Sequence, residues 1–124
     1  MKVLIDTCGW IEWLTNGSLL NNFSPYFAQT DDIIIPVVVQ YELYKWVCRE
    51  VDEITALEII GVTELGRVIP LTTSLVLFAA DLAKQYKLAM ADAFIYATAQ
   101  QEYAEVITCD NHFLNLPDII YFPK

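Results

Sequence analysis

The feature that most constrains this chain is an alternation along its length. Five short apolar runs, Lys2 to Asp6, Ile33 to Pro36, Arg67 to Leu71, Glu105 to Thr108 and Ile119 to Phe122, are separated by segments with helical spacing. Each run is too brief for a helix and most are rich in Val and Ile, so each reads as a strand. Between them, Thr7 reads as the cap of a helix from Cys8 to Leu14, and Ser24-Pro25 as an N-cap followed by a proline at the first helical position. Val37 to Val51 forms a long helix, and Asp52 caps another that runs to about Val62. Thr72 or Thr73 opens a helix to Tyr86, and Ala91 to Tyr103 is a last helix rich in small residues. Strand, crossover helix, strand is the pattern of a parallel sheet covered on both faces. The expected fold class is therefore α/β, a three-layer open parallel sheet of about five short strands. With 124 residues, no repeat and no linker, the chain is expected to be a single domain.

Composition narrows the setting. Hydrophobic residues make up 56% of the chain, which excludes a disordered tail and predicts a filled core. No apolar run approaches the roughly 20 residues needed to cross a bilayer, and the apolar run after Lys2 is too short for a signal-peptide core. A soluble, cytoplasmic protein with no membrane partner is expected. Cys8, Cys48 and Cys109 are an odd set without a CxxC pair, and His112 is the one histidine. That count fits neither a disulfide framework nor a structural zinc site. Seven Lys and Arg against 16 Asp and Glu give a net charge of −9, which by itself argues against nucleic acid as a partner.

The acids repay attention because ligands of an open parallel sheet bind beyond the carboxyl ends of its strands. Asp6 ends the first strand and Asp110 follows the fourth. Glu42 and Asp92 lie early in helices whose N-termini face the same edge. Each has an ordinary structural explanation, since Asp starts turns and favours the first turn of a helix. Glu42 is harder to explain that way, because it sits among Val38, Val39, Leu43 and Trp46. If the four converge, each pair about 5 Å apart repels by about 3 kcal/mol at an effective dielectric of 20. Such a cluster must take up protons or a divalent cation. An all-oxygen set favours a hard ion, Mg²⁺ or Mn²⁺, and that equipment suits phosphodiester hydrolysis.

At these residues the chain resembles the PIN-domain family, and within it the VapC-type toxins of bacterial and archaeal toxin–antitoxin pairs. The resemblance runs from Val3-Leu4-Ile5-Asp6-Thr7 to the closing strand. The family's acids map to Asp6, to Glu42 within Pro36 to Leu43, to Asp92 in an Ala-Asp-Ala context, and to Asp110, which precedes Phe113. It implies a Mg²⁺- or Mn²⁺-dependent endoribonuclease in which metal-activated water attacks in line and leaves a 5′-phosphate and a 3′-hydroxyl. Asp6, Glu42 and Asp92 would then hold metal directly or through water, and Asp110 indirectly or through a second ion. Thr7 would orient Asp6 or a water, unless it serves only as the helix cap. Asn111 would support the site, and His112 beside it is a candidate RNA contact. The family also implies a homodimer and a cognate antitoxin whose tail fills the acidic groove.

The net charge then has an explanation. Two divalent ions would offset four of the nine excess negative charges where phosphate must come. Lys45 and Arg49, at helical neighbour spacing and one turn beyond Glu42, are candidate contacts to the RNA backbone. Lys84 and Lys87 form a second such pair. A basic antitoxin segment is favoured by the same acidity. Trp10, Trp13, Tyr41, Tyr44 and Trp46 could stack on bases, although core or dimer packing explains them as well. A phosphatase of the haloacid dehalogenase type would need Asp-x-Asp where Cys8 stands. A response-regulator receiver would need an Asp after the third strand, where Pro70-Leu71 stands. Two alternatives stay open: a catalytically silent PIN-like module that binds a partner, and a nuclease acting on DNA.

Overall fold

The computed structural model describes residues 2–28 and 32–124. Five strands form one parallel sheet: β1 (Val3–Ile5), β2 (Ile33–Pro36), β3 (Arg67–Ile69), β4 (Glu105–Thr108) and β5 (Ile119–Tyr121), in the order β3-β2-β1-β4-β5. Every residue of β1 and β2 is buried, as is all of β4 beyond Glu105. Strands covered on both faces must be apolar throughout, which is why they read as continuous Val and Ile runs. Val3 pairs with both Ile33 and Glu105, so β1 lies at the centre. The three-layer open α/β reading holds.

Among the described residues, six α-helices flank the sheet: α1 (Thr7–Leu14), α2 (Leu20–Phe27), α3 (Val37–Glu50), α4 (Glu53–Thr63), α5 (Thr73–Tyr86) and α6 (Met90–Gln101). From β1 the chain builds outward through β2 to β3, then returns across the sheet to β4 and β5. The strand order therefore reverses between β1 and β4, and the crevice at their carboxyl ends is where such sheets bind ligands. Among the described residues, no helix is long and apolar enough to cross a membrane.

Two helix starts differ from expectation. Asp6, not Thr7, caps α1: its Oδ1 accepts the Thr7 N–H at 2.8 Å, and Thr7 is already helical. Helix α2 starts at Leu20, with Pro25 inside it rather than at its first position. Phe23 and Phe27, one turn apart, are both buried, and burial of that pair outweighs the hydrogen bond that Pro25 cannot donate. Ser24 does not cap; its hydroxyl donates to the Leu20 carbonyl at 2.8 Å. At the other end of the chain, α6 stops at Gln101, and Tyr103 takes a left-handed φ of 55°.

Tight packing holds α1 on the sheet. A Cβ at Gly9 would lie 2.6 Å from Phe23 Cε1 and 2.7 Å from Ile5 Cγ2, both in buried rings or branches that cannot yield. Trp10 and Trp13 pack on Phe27, with ring centroids 4.8 and 4.7 Å away, so these two indoles belong to the core and its margin. The C-terminus closes on the same helix, where Lys124 Nζ lies 2.7 Å from the buried Glu12 carboxylate.

Candidate metal centre

The end of β1 leads directly into the cap of α1, which fixes Asp6 in the crevice with 5% of its surface exposed. Its second oxygen, Oδ2, accepts the hydroxyl of the fully buried Thr108 at 2.8 Å. Burial pushes the Asp6 carboxyl up to about 6, against the pull of the Thr108 and Thr7 hydrogen bonds; the charges of Glu42 and Asp110 push the same way as burial. Pro36 ends β2 and α3 begins at once, so Glu42 falls in the second turn of that helix, above the same crevice. The Thr7 hydroxyl donates to Glu42 Oε1 at 2.6 Å. Thr7 thus holds two acids, Asp6 through its backbone and Glu42 through its side chain. Its part is neither that of a cap nor that of a lever on Asp6 alone.

Asp92 lies in the first turn of α6, where the helix dipole favours a carboxylate. Asp110 follows β4 and caps a 3-10 turn, Asn111–Phe113, by accepting the His112 N–H at 2.9 Å. The turn is anchored by Phe113, which is fully buried. That anchor swings His112 back over the acids, with Nδ1 3.1 Å from Asp92 Oδ2 and 3.3 Å from Asp110 Oδ1. Burial raises the Glu42 and Asp92 carboxyls as well; Asp110 adds to both, and Asp92 adds to Glu42. The mutual repulsion shows that all four acids share one field. The tightest group is Asp92, Asp110 and His112, whose ligand atoms lie within 4.8 Å of one another. Asp6 and Glu42 lie outside that group but close enough for the charge of Asp110 to act on both.

Two residues of the site carry no obvious signal in the sequence. Thr108 donates to Asp6 and accepts the Asp110 N–H at 2.9 Å, so one buried hydroxyl couples the acids of β1 and β4. A polar residue ending an otherwise apolar, buried strand must find a partner, and that was the available clue. Cys8 accepts the Cys109 N–H at 3.2 Å, and its thiol points at Asp6 Oδ2 over 3.7 Å. Burial first, and then the Asp6 charge, push that thiol far up, so it stays protonated and donates. Asn111 is exposed, and among the described residues its side chain makes no hydrogen bond to the acids.

Two hollows flank the cluster. One, beside Glu42, is lined by Thr7, Ile11, Tyr41, Lys45, Trp46 and Arg49. The other lies between Lys87, Leu88, Asp92 and His112. Lys45 stands 5.8 Å from the centre of the exposed Tyr41 ring, and Arg49 pairs with Glu50 at 3.1 Å. The donor set fits a divalent cation: several carboxylates made costly by burial and by one another regain stability when an ion replaces their protons.

The fold has close counterparts among solved structures. A toxin–antitoxin complex from Klebsiella pneumoniae holds a chain 20% identical, with a TM-score of 0.83 and coverage of 99% of this chain and 100% of that one. VapBC2 from Rickettsia felis, bound to a DNA fragment from its promoter, gives 16% identity, a TM-score of 0.75, and coverage of 99% and 98%. VapC20 of Mycobacterium tuberculosis, described as a toxin that cleaves the sarcin–ricin loop, gives 14%, 0.70, and 84% and 85%. At these identities the likeness speaks for the fold. No curated protein sequence matches the chain. The family model for the PIN domain matches residues 3–119, a span that holds β1 to β4, the first residue of β5 and all four acids, and the chain belongs to the PIN-domain family.

Proposed function

We propose that this chain is a metal-dependent endoribonuclease, the toxin of a VapC-type toxin–antitoxin pair working in the cytoplasm. The observation that carries the reading is the convergence of Asp6, Glu42, Asp92 and Asp110 in the β1–β4 crevice, where neighbouring acids add to the raised proton affinity of Asp6, Glu42 and Asp92. A protein that only binds a partner gains nothing from so costly a cluster. One structural counterpart comes from a toxin–antitoxin complex and another is described as a toxin that cleaves the sarcin–ricin loop, which supports the choice of partner and substrate.

In this reading Asp6, Glu42, Asp92 and Asp110 hold Mg²⁺ or Mn²⁺. Bound there, the ion lowers the pKa of a water and offsets charge developing on a phosphoryl oxygen. The chain's own residues do the rest. Thr108, Thr7 and Cys8 hold the carboxylates in place. Lys45 and Arg49 on one side, and Lys87 on the other, bind backbone phosphates of a strand lying across both hollows, with Asn111 at its edge. The exposed Tyr41 and the half-buried Trp46 offer faces for unpaired bases. The acidic crevice attracts a basic antitoxin segment, which blocks it. A second copy covers the apolar groove of Val76, Ala80, Ala83, Met90 and Phe94, giving a homodimer.

The test is cleavage of structured total RNA by protein freed of antitoxin, with Mg²⁺ or Mn²⁺, with EDTA, and with Asp92→Asn. Cleavage that needs the metal and disappears in the variant is expected. Cutting of single-stranded DNA in preference to RNA would change the substrate. Failure to cleave together with failure to bind metal would end the enzyme reading.

A further inference from the structure

We infer that His112 is a metal ligand of this centre, giving it a nitrogen donor that favours Mn²⁺ and related first-row ions over Mg²⁺. The inference rests on the metal-nuclease reading and goes beyond it, because the four acids alone make an all-oxygen site.

The argument begins with position. His112 Nδ1 lies 3.1 Å from Asp92 Oδ2 and 3.3 Å from Asp110 Oδ1. Adjacent ligand atoms of an octahedral ion with bonds of roughly 2.1–2.2 Å stand about 3 Å apart. The nitrogen and each of the two oxygens therefore already have the separation that one ion imposes on neighbouring ligands. The backbone maintains it: the Asp110 carboxylate caps the turn at the His112 N–H, and buried Phe113 pins the next residue, so the imidazole is presented from a closed turn. The ring is exposed on its outer side, so Nε2 can carry the proton to solvent when Nδ1 binds an ion.

Chemistry then sets the consequence. Mg²⁺ sheds water reluctantly and takes oxygen ligands, so an imidazole adds little for it. Mn²⁺ accepts mixed nitrogen and oxygen sets, and affinity for such sets climbs further along the first row. A ring that merely hydrogen-bonds to the acids would show the same distances with its proton on Nδ1. The two cases part when an ion enters: a ligand keeps its nitrogen on the metal, whereas a hydrogen-bonding ring leaves.

His112 is the one histidine of the chain, which makes the experiment direct. Electron spin-echo modulation of the Mn²⁺-loaded protein reports nitrogen bound to the ion, and an imidazole signal has a single source. The expected result is an imidazole ¹⁴N coupling in the native protein that is absent from His112→Gln. In calorimetric titrations, His112→Gln should weaken Mn²⁺ binding about tenfold, while Mg²⁺ binding changes by less than about twofold. Mn²⁺ bound without nitrogen coupling would overturn the inference and leave the nuclease reading intact. Equal losses for both ions would also overturn it, since the ring would then only orient the acids. Absence of Mn²⁺ binding by the native protein would remove both, and Asp92→Asn, expected to lose both ions, marks that baseline.

Discussion

Replacing Thr108 by Val keeps the shape of a fully buried side chain and deletes one hydroxyl, which makes it a sharp probe of how the centre is held. That hydroxyl donates to Asp6 Oδ2 at 2.8 Å. A hydrogen bond to a charged group contributes about 2 kcal/mol, and its loss lowers the ionisation constant of Asp6 about thirtyfold. With the native carboxyl at about 6, roughly nine tenths of the native protein but only about one quarter of the variant has Asp6 ionised at pH 7. A metal ligand must be deprotonated, so apparent Mn²⁺ affinity should fall about fourfold at pH 7. The deficit should widen to about fifteenfold at pH 6 and close by about pH 9, because protons cease to compete. Calorimetric titration of the native protein, Thr108→Val and Thr108→Ser across that range measures it, with Ser restoring the native profile. A deficit that stays constant with pH would mean that Thr108 acts by geometry and not on the charge of Asp6. No deficit at any pH would mean that the hydrogen bond contributes nothing.

The same acids govern the stability of the metal-free fold. Asp6, Glu42 and Asp92 have raised folded values, so their contribution is full at low pH and is lost as pH rises, for Asp6 through about 6 and by up to about 3 kcal/mol. Glu12 is lowered, first by its hydrogen bond from Lys124, so its contribution holds above 4.5 and is lost as pH falls. Melting temperature in EDTA should therefore peak at or a little below about pH 4.5 and decline through pH 6, and Mn²⁺ should restore stability at pH 8; a steady rise to pH 8 in EDTA would contradict this. Lys124→Ala leaves the buried Glu12 with the Leu19 N–H at 3.2 Å and should cost about 1 kcal/mol, modest because the ammonium is mostly exposed, as read by denaturant unfolding. Lys45→Glu with Arg49→Glu should slow RNA cleavage at least about tenfold and steepen its decline with salt no further, while calorimetric Mn²⁺ affinity stays near native. Val76→Glu with Met90→Glu, placing charges in the apolar groove, should yield monomers by light scattering at concentrations where the proposed dimer forms.

The sheet and the four acids are legible in the sequence for the same reason: both are written in short-range pattern. A run such as Ile33-Ile34-Ile35 can be little else than a doubly covered strand, and an Asp at the end of such a run sits at the ligand edge of any parallel sheet. What stays illegible depends on pairing between distant segments. Ser24-Pro25 carries strong local signals for a helix start, yet the buried Phe23 and Phe27 decide the matter, and their contacts lie outside their own segment. Thr108 looks like an ordinary strand threonine, and His112 like an ordinary loop residue, until the sheet is assembled. The register of β1 on β4 makes the difference. Ile5 pairs with Ile107, and the Asp6 N–H continues the ladder to the Ile107 carbonyl at 3.0 Å, so Asp6 and Thr108 stand side by side. A slip of one residue would turn Thr108 to the opposite face of the sheet and leave Asp6 without its hydroxyl partner. It would also expose Val106 and Ile107 to the wrong layers, so the apolar packing that selects the register selects the geometry of the centre with it. The costly burial of Asp6 is thereby tied to the core itself, and the site cannot loosen without the sheet losing its alignment.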